Sequence, residues 1–201
     1  NIIKKKVKNL GFLNKDLPFG NEKKGNIILN LYSIRKIKSE KKVQPKTLCF
    51  AGHTDVVPVG DESKWKFNPF SAVVHQKKLY GRGASDMKGA IAAWIVACEE
   101  VIRNKKINIS LAILITGDEE GIAENGTKKI IKWLKDKKVK IDHCVVGEPT
   151  NPLLLGDMIK IGRRGSLSLT LKLHGKAGHV AYPHLAVNPL TDIIKICSEV
   201  K

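Results

Sequence analysis

The sequence predicts an α/β fold: a mixed sheet flanked by helices, followed by the start of a second, α+β domain. Strand-length apolar runs alternate with segments of helical period between residues 27 and 146, as expected of a sheet with helices on its faces. Four runs, TLCFAG, LYGRG, ISLAILITG and IDHCVVG, each end on a turn bearing a histidine or an acid. Beyond Arg164 the pattern becomes the strict alternation of SLSLTLKLHG, which describes a half-buried antiparallel strand rather than a buried parallel one.

Taken in order, residues 27–32 read as a strand, and the charged run 36–46 as a loop or exposed hairpin. TLCFAG is a strand leading to His53. Residues 86–103 carry Ile91, Ile95, Cys98 and Ile102 at helical spacing, so one face of this helix packs on the sheet, with Trp94 in the core. Residues 109–116 form a strand that ends on GDEEG. The helix at 126–137 is expected to bury Ile130, Ile131 and Leu134 and to leave its lysines and the KDKKVK tail in water. Residues 141–146 form the strand before Glu148. In SLSLTLKLHG, Leu167, Leu169, Leu171 and Leu173 share one face. The chain then enters a helix capped by Asn188, with Pro189 at its first position and Leu190, Ile193, Ile194 and Cys197 on its apolar face.

Composition excludes some function classes. With 201 residues, 42% of them hydrophobic, the chain can bury a substantial core. No run approaches the roughly 18 apolar residues of a membrane helix. The N-terminus NIIKKKVKNL is basic but has neither the apolar run nor the cleavage site of a secretory signal, and the missing initiator Met points to a fragment. Cys49, Cys98, Cys144 and Cys197 stand far apart in apolar company, which fits reduced thiols and a cytoplasmic protein. The net charge of +17 raises nucleic-acid binding as a reading from another class. Against it, the excess is almost all Lys spread over every segment, and the 5% of aromatics do not interleave with the basic runs. Nucleic acid is therefore not expected as a partner, and the positive field suits anionic small molecules.

The chemistry lies in the turns. In an open α/β sheet, strand ends open onto the ligand crevice, so acid-bearing ends can converge there. His53-x-Asp55 is the pattern of a ligating imidazole beside a carboxylate that orients it. Asp86, among Gly81, Gly83 and Gly89, is either a ligand or the cap of the following helix. Glu119 and Glu120 follow a very apolar strand, where uncompensated charge is costly and a metal would relieve it. Neighbouring residues point apart, so one of the two can ligate while the other faces substrate as a base. Glu148, between Gly147 and Pro149, completes a set of one histidine and several carboxylates suited to zinc, cobalt or manganese.

The strings FAGHTDVVPVGD, LYGRGASDMKGA, GDEEG, VGEPT, KIGRRGSL and GHVAYPHLAVNP resemble the aminoacylase and carboxypeptidase family of co-catalytic zinc hydrolases. That resemblance implies a zinc-peptidase-like catalytic domain over 1–164 and, over 165–201, the truncated start of an inserted lid and dimerisation domain. It implies two zinc ions, one held by His53, Asp86 and Glu148, the other by Asp86 and Glu120, with Glu119 as general base, Asp55 beside His53, and a cis Asp86–Met87 peptide. It also implies that Lys160, Arg163, Arg164, Ser166 and His179 surround a small anionic N-acyl amino-acid substrate, the Arg pair matching carboxylates unless it forms a hinge salt bridge. His179 would be delivered by the second subunit of a homodimer. The implied reaction is amide hydrolysis releasing a succinyl group, with another acyl-amino acid or a dipeptide as the alternative substrate. In the family a further histidine, C-terminal to the lid, completes the second zinc site, so these residues alone are expected to be inactive.

Overall fold

The structure, a computed structural model, describes residues 2–37, 44–104, 107–162, 165 and 167–200. The chain divides into two units, Asn1–Met158 and Ile159–Lys201.

In the first unit, Ile3, Val7 and Leu10 recur at helical spacing, and α1 (Ile2–Asn9) with the turn that follows it lays them on the core. Next come β1 (Leu13–Phe19), β2 (Ile28–Arg35) and β3 (Thr47–His53), then a hairpin of β4 (Val73–His75) and β5 (Lys78–Tyr80). The rest of the unit consists of α2 (Gly89–Arg103), β6 (Ser110–Thr116), α3 (Thr127–Asp136) and β7 (His143–Val146). Five strands make one mixed sheet in the order β1-β2-β6-β3-β7. β1 pairs with β2 and β2 with β6 antiparallel, while β3 runs parallel to both β6 and β7. β6 lies at the centre and every one of its residues is buried, as its unbroken apolar run requires. β1 escaped the sequence reading because Asn14, Lys15, Asp16 and Pro18 break its apolar pattern. Its edge position is where a Pro can be tolerated in a sheet.

Alternation along β6 divides the core into two layers. Leu111, Ile113 and Ile115 meet Val7 of α1 and Ile91 and Cys98 of α2, and Trp94 stacks on Phe50 with ring centroids 5.2 Å apart. On the opposite face, Ala112 and Leu114 meet Cys49, Tyr32 and the Ile130 and Leu134 of α3. Ile131, expected to be buried, is 45% exposed. The narrow i, i+4 stripe of Ile130 and Leu134 fills the contact, and the neighbouring space goes to Trp133, which packs on Tyr32.

LYGRG departs from expectation in another way. Its strand is β5, which among the described residues pairs with β4 alone, through a tight turn in which Gln76 and Lys77 have φ of 49° and 61°. Three strands of the main sheet, rather than four, therefore lead to acid-bearing turns. Of the charged run 36–46, residues 38–43 lie outside the described residues. Among the described residues, no helix is long and apolar enough to cross a membrane.

The second unit contains α4 (Pro189–Glu199), with Pro189 in its first turn and Asn188 accepting a hydrogen bond from Leu190 N at 3.0 Å. Residues 167–173 form no strand. Alternation supplies a face, but a strand also needs a neighbour for its N–H and C=O groups. Among the described residues of this unit, the main-chain pairing between separated segments is the isolated bridge Lys176–Val187.

Candidate metal centre

Parallel pairing brings the C-terminal ends of β3, β6 and β7 to the same edge of the sheet, and His53 sits there opposite Thr116. His53 is 1% exposed. Its Nδ1 lies 3.0 Å from the main-chain oxygen of Asp55. A carbonyl can only accept, so Nδ1 donates, and Nε2 is left facing the acids. Around Nε2 stand Asp86 Oδ1 at 3.0 Å, Glu148 Oε1 at 3.7 Å and Glu119 Oε2 at 4.0 Å.

Asp55 acts differently from the sequence expectation of a carboxylate orienting the ring. Its carboxylate Oδ1 is 3.6 Å from His53 Nδ1, while Oδ2 accepts the N–H groups of Glu119 and Glu120, at 2.8 Å each. The chain bends after His53, bringing the carbonyl of Asp55 to the ring and freeing the side chain to tie down the neighbouring loop.

Asp86 is carried by the turn after β5. Arg82 N donates to Pro69 O at 2.8 Å and Lys88 N to Gly83 O at 2.9 Å, closing the backbone around the acid. Gly83 has φ 80°, and a Cβ there would stand 2.7 Å from Val56 Cγ1, so only glycine fits. The Asp86–Met87 peptide is cis, and Met87 is fully buried against Ile91 and Phe50. Glu148 follows β7 through Gly147, where a Cβ would lie 2.4 Å from the Phe50 ring.

Two overlapping sets bring one potential ligand atom per residue to within 4.8 Å of one another: His53, Asp86 and Glu148, and His53, Glu119 and Glu120. The electrostatics match. Burial alone would lower the pKa of His53, but the Asp55 carbonyl, the Asp86 carboxylate and the charges of Glu148 and Glu119 together raise it. Burial, then the charges of Asp86 and Glu119, push the Glu120 carboxyl up; His53 pulls it down and Asp55 adds to the rise. With its Nδ1 proton committed, His53 Nε2 must meet these carboxylates with a proton or a cation between them. A nitrogen and carboxylate donor set of this kind fits a divalent metal.

Lys160 and His179 belong to the second unit, where His179 Nδ1 accepts from Ala181 N at 3.2 Å and its ring lies 5.9 Å from that of Tyr182. Arg163, Arg164 and Ser166 lie outside the described residues. Behind the Glu119–Glu120 loop, Asn30, Thr116, Asp118 and Asn125 are buried polar residues that sequence reasoning missed. The available signal was Asn30, an amide inside the otherwise apolar start of β2, ILNLY.

Comparison with known proteins agrees with this geometry. Residues 49–200 match the model of the peptidase family M20/M25/M40. The chain is 52% identical over 200 residues to a succinyl-diaminopimelate desuccinylase of Pelagibacter ubique, covering 99% of this chain and 50% of that protein. It is 47% identical over 199 residues to one from Caulobacter vibrioides, covering 99% and 48%. The chain thus spans about half the length of the curated relatives it matches. Among solved structures, an M20 family metallo-carboxypeptidase from Sulfolobus solfataricus aligns with TM-score 0.59 and 27% identity over 73% of this chain and 30% of that one. Human carnosine dipeptidase 1 aligns with TM-score 0.59 and 25% identity over 72% and 31%. The buried histidine among strand-end carboxylates and the match over residues 49–200 agree: this chain belongs to the peptidase family M20/M25/M40.

Proposed function

We propose that the protein containing this chain removes succinate from N-succinyl-LL-2,6-diaminopimelate by metal-dependent amide hydrolysis, a cytoplasmic step toward lysine and diaminopimelate. The observation that carries this reading is near-complete coverage of the chain, at 52% identity, by a relative bearing the desuccinylase name. The chemistry of the cluster supports it. His53, Asp86 and Glu148 would hold one divalent ion, with zinc the first choice and cobalt or manganese accepted by the same donors. Asp86 and Glu120 would contribute to a second. Metal bound there would polarise the amide carbonyl and lower the pKa of a bound water to about 7.

The chain's own residues supply the rest. The Asp55 carbonyl keeps the Nδ1 proton of His53 in place, so that Nε2 remains the ligating atom. Glu119 takes a proton from the attacking water and returns it to the departing amine. Its side chain is 44% exposed, leaving it open to substrate. Lys160, Arg163, Arg164 and Ser166 would bind the substrate carboxylates, and His179, offered by the partner subunit of a homodimer built through residues 165–201, would polarise the scissile carbonyl.

The test uses the full-length protein loaded with zinc, comparing turnover of N-succinyl-LL-2,6-diaminopimelate with that of N-acetylornithine and dipeptides. A kcat/KM at least about 100-fold higher for the succinyl substrate is expected, the discrimination a dedicated polar site can deliver. Preference for either competitor would overturn the assignment.

A further inference from the structure

The loop bearing Glu119 and Glu120 rests on a polar network that begins on β2, a strand that contributes nothing to the metal cluster. Thr116 Oγ1 donates to Asn30 Oδ1 at 2.8 Å and accepts from Asp118 N at 3.2 Å. Asn30 Nδ2 donates to Leu17 O at 3.0 Å and to Asn125 O at 2.9 Å. Asp118 closes the loop by accepting Ala123 N at 3.1 Å and Asn125 N at 2.8 Å. Asn30, Thr116, Asp118 and Asn125 are 4%, 2%, 8% and 8% exposed, so these bonds are shielded from water and leaving one unmade is costly.

We propose that Thr116 and Asn30 are positioning residues: the Thr116 hydroxyl, aligned by the Asn30 amide, sets where loop 117–126 leaves the sheet and so directs Glu119 and Glu120 at His53. This rests on the reading of the cluster as a metal-dependent hydrolase site. The loop has no regular structure of its own and brings two carboxylates toward those of Asp86 and Glu148, so mutual repulsion would spread them unless something rigid held the chain. It is pinned at its start by Thr116, in the middle by the Asp55 carboxylate under Glu119 N and Glu120 N, and at its far end by Asp118 and Asn30 acting on Asn125. Thr116 also joins the two arms of the site, because its main-chain oxygen accepts Thr54 N at 2.9 Å, one residue beyond His53. At Gly126 the chain passes so close that a Cβ would lie 2.5 Å from Thr116 Oγ1.

The chemistry of each residue is specific. Valine has the shape of threonine without its hydroxyl: it would take from Asp118 N its acceptor and leave Asn30 Oδ1 only the longer 3.4 Å bond from Gly117 N. Aspartate at position 30 would keep the acceptor for Thr116 but turn a carboxylate toward the carbonyls of Leu17 and Asn125, where an amide N–H now donates.

The experiment compares Thr116→Val and Thr116→Ser in the full-length protein. It measures zinc affinity by competition with a chromophoric chelator, and kcat and KM for N-succinyl-LL-2,6-diaminopimelate, well below the melting temperature of each variant. Thr116→Val is expected to lose roughly 10- to 100-fold in zinc affinity or kcat, the usual effect of losing a group that orients metal ligands, with KM within about twofold. Thr116→Ser, which restores the hydroxyl, should stay within about threefold of wild type. A Thr116→Val protein that melts earlier yet keeps wild-type zinc affinity and kcat would overturn the proposal and leave the network a purely structural one. Should Thr116→Val fail to fold, Asn30→Asp decides by the same measurements. A wild-type protein that neither binds zinc nor cleaves the substrate would refute the hydrolase reading itself, and this inference with it, before any variant is made.

Discussion

The two units read the same kinds of sequence pattern and do different things with them. In Asn1–Met158, β6 alternates Ile113 and Leu114 between two helical layers, at 0% and 4% exposure. In Ile159–Lys201, Leu167 and Leu169 alternate just as regularly yet are 83% and 85% exposed, and Leu190 and Ile194 on α4 are 65% and 68% exposed. Periodicity specifies a face. Burial requires a second face to meet it, and the first unit supplies its own while the second does not. Rigid chemistry follows the same division: His53 can be held at 1% exposure with its ring nitrogen aimed at carboxylates because packed layers surround it.

The sharpest way to break this comparison is at Glu119, the proton carrier assigned to the rigid unit. Glu119→Gln in the full-length protein should lower turnover on the order of 100- to 10,000-fold while metal content, measured by atomic emission, stays near wild type. Parallel loss of metal would make Glu119 a ligand instead.

Next in size is the contribution assigned to the second unit. A His179→Ala protein and a Glu119→Gln protein, each nearly inactive alone, should regain activity when mixed and allowed to exchange subunits, since one hybrid site then carries both intact residues. No recovery after verified exchange would place His179 within its own chain's chemistry or outside the reaction.

Stability should separate the units as well. In residues 1–201, Ile113→Ala removes a fully buried side chain and should cost ~2–5 kcal/mol, whereas Ile194→Ala should change stability by no more than about 0.5 kcal/mol. Urea unfolding followed by the fluorescence of Trp94 and Trp133, which pack on the two core layers, measures the first; far-UV circular dichroism covers α4. A cost near that of Ile113→Ala for Ile194→Ala in the full-length protein would show that the α4 face is covered there.

The smallest effect concerns Asp142, which sits just before β7. The hydrogen bond from Lys140, then that from Thr47 N at 2.8 Å, lowers its pKa. A carboxyl with a depressed folded-state pKa contributes stability that is fully present above its unfolded value and is lost as pH falls through the folded value. Asp142→Asn should therefore narrow the gap in stability between neutral and acid pH, seen as a melting temperature that falls less steeply on acidification below about pH 4, near the reference carboxyl value. An unchanged slope would show that the pairing with Lys140 and Thr47 is inconsequential.

Much was legible in the sequence because it depends on local chemistry. The apolar runs became β3, β6 and β7, the spacing of Ile91, Ile95 and Cys98 became the inner face of α2, and Asn188 with Pro189 opened α4. Histidine and acids on glycine-flanked turns at strand ends announced the cluster, since few other patterns leave so many carboxylates beside apolar strands. Tertiary structure alone decided which strands became neighbours, and with that which turns met. It made LYGRG a hairpin arm, left residues 167–173 without a ladder, and gave the Asp55 carbonyl to His53 while its carboxylate went to the Glu119 loop. It also placed Asn30 of β2 behind that loop, 86 residues from Thr116 in the chain. Such contacts form between groups far apart in sequence, so no local period records them. They depend on the order of strands across the sheet, which is set by packing the whole core at once.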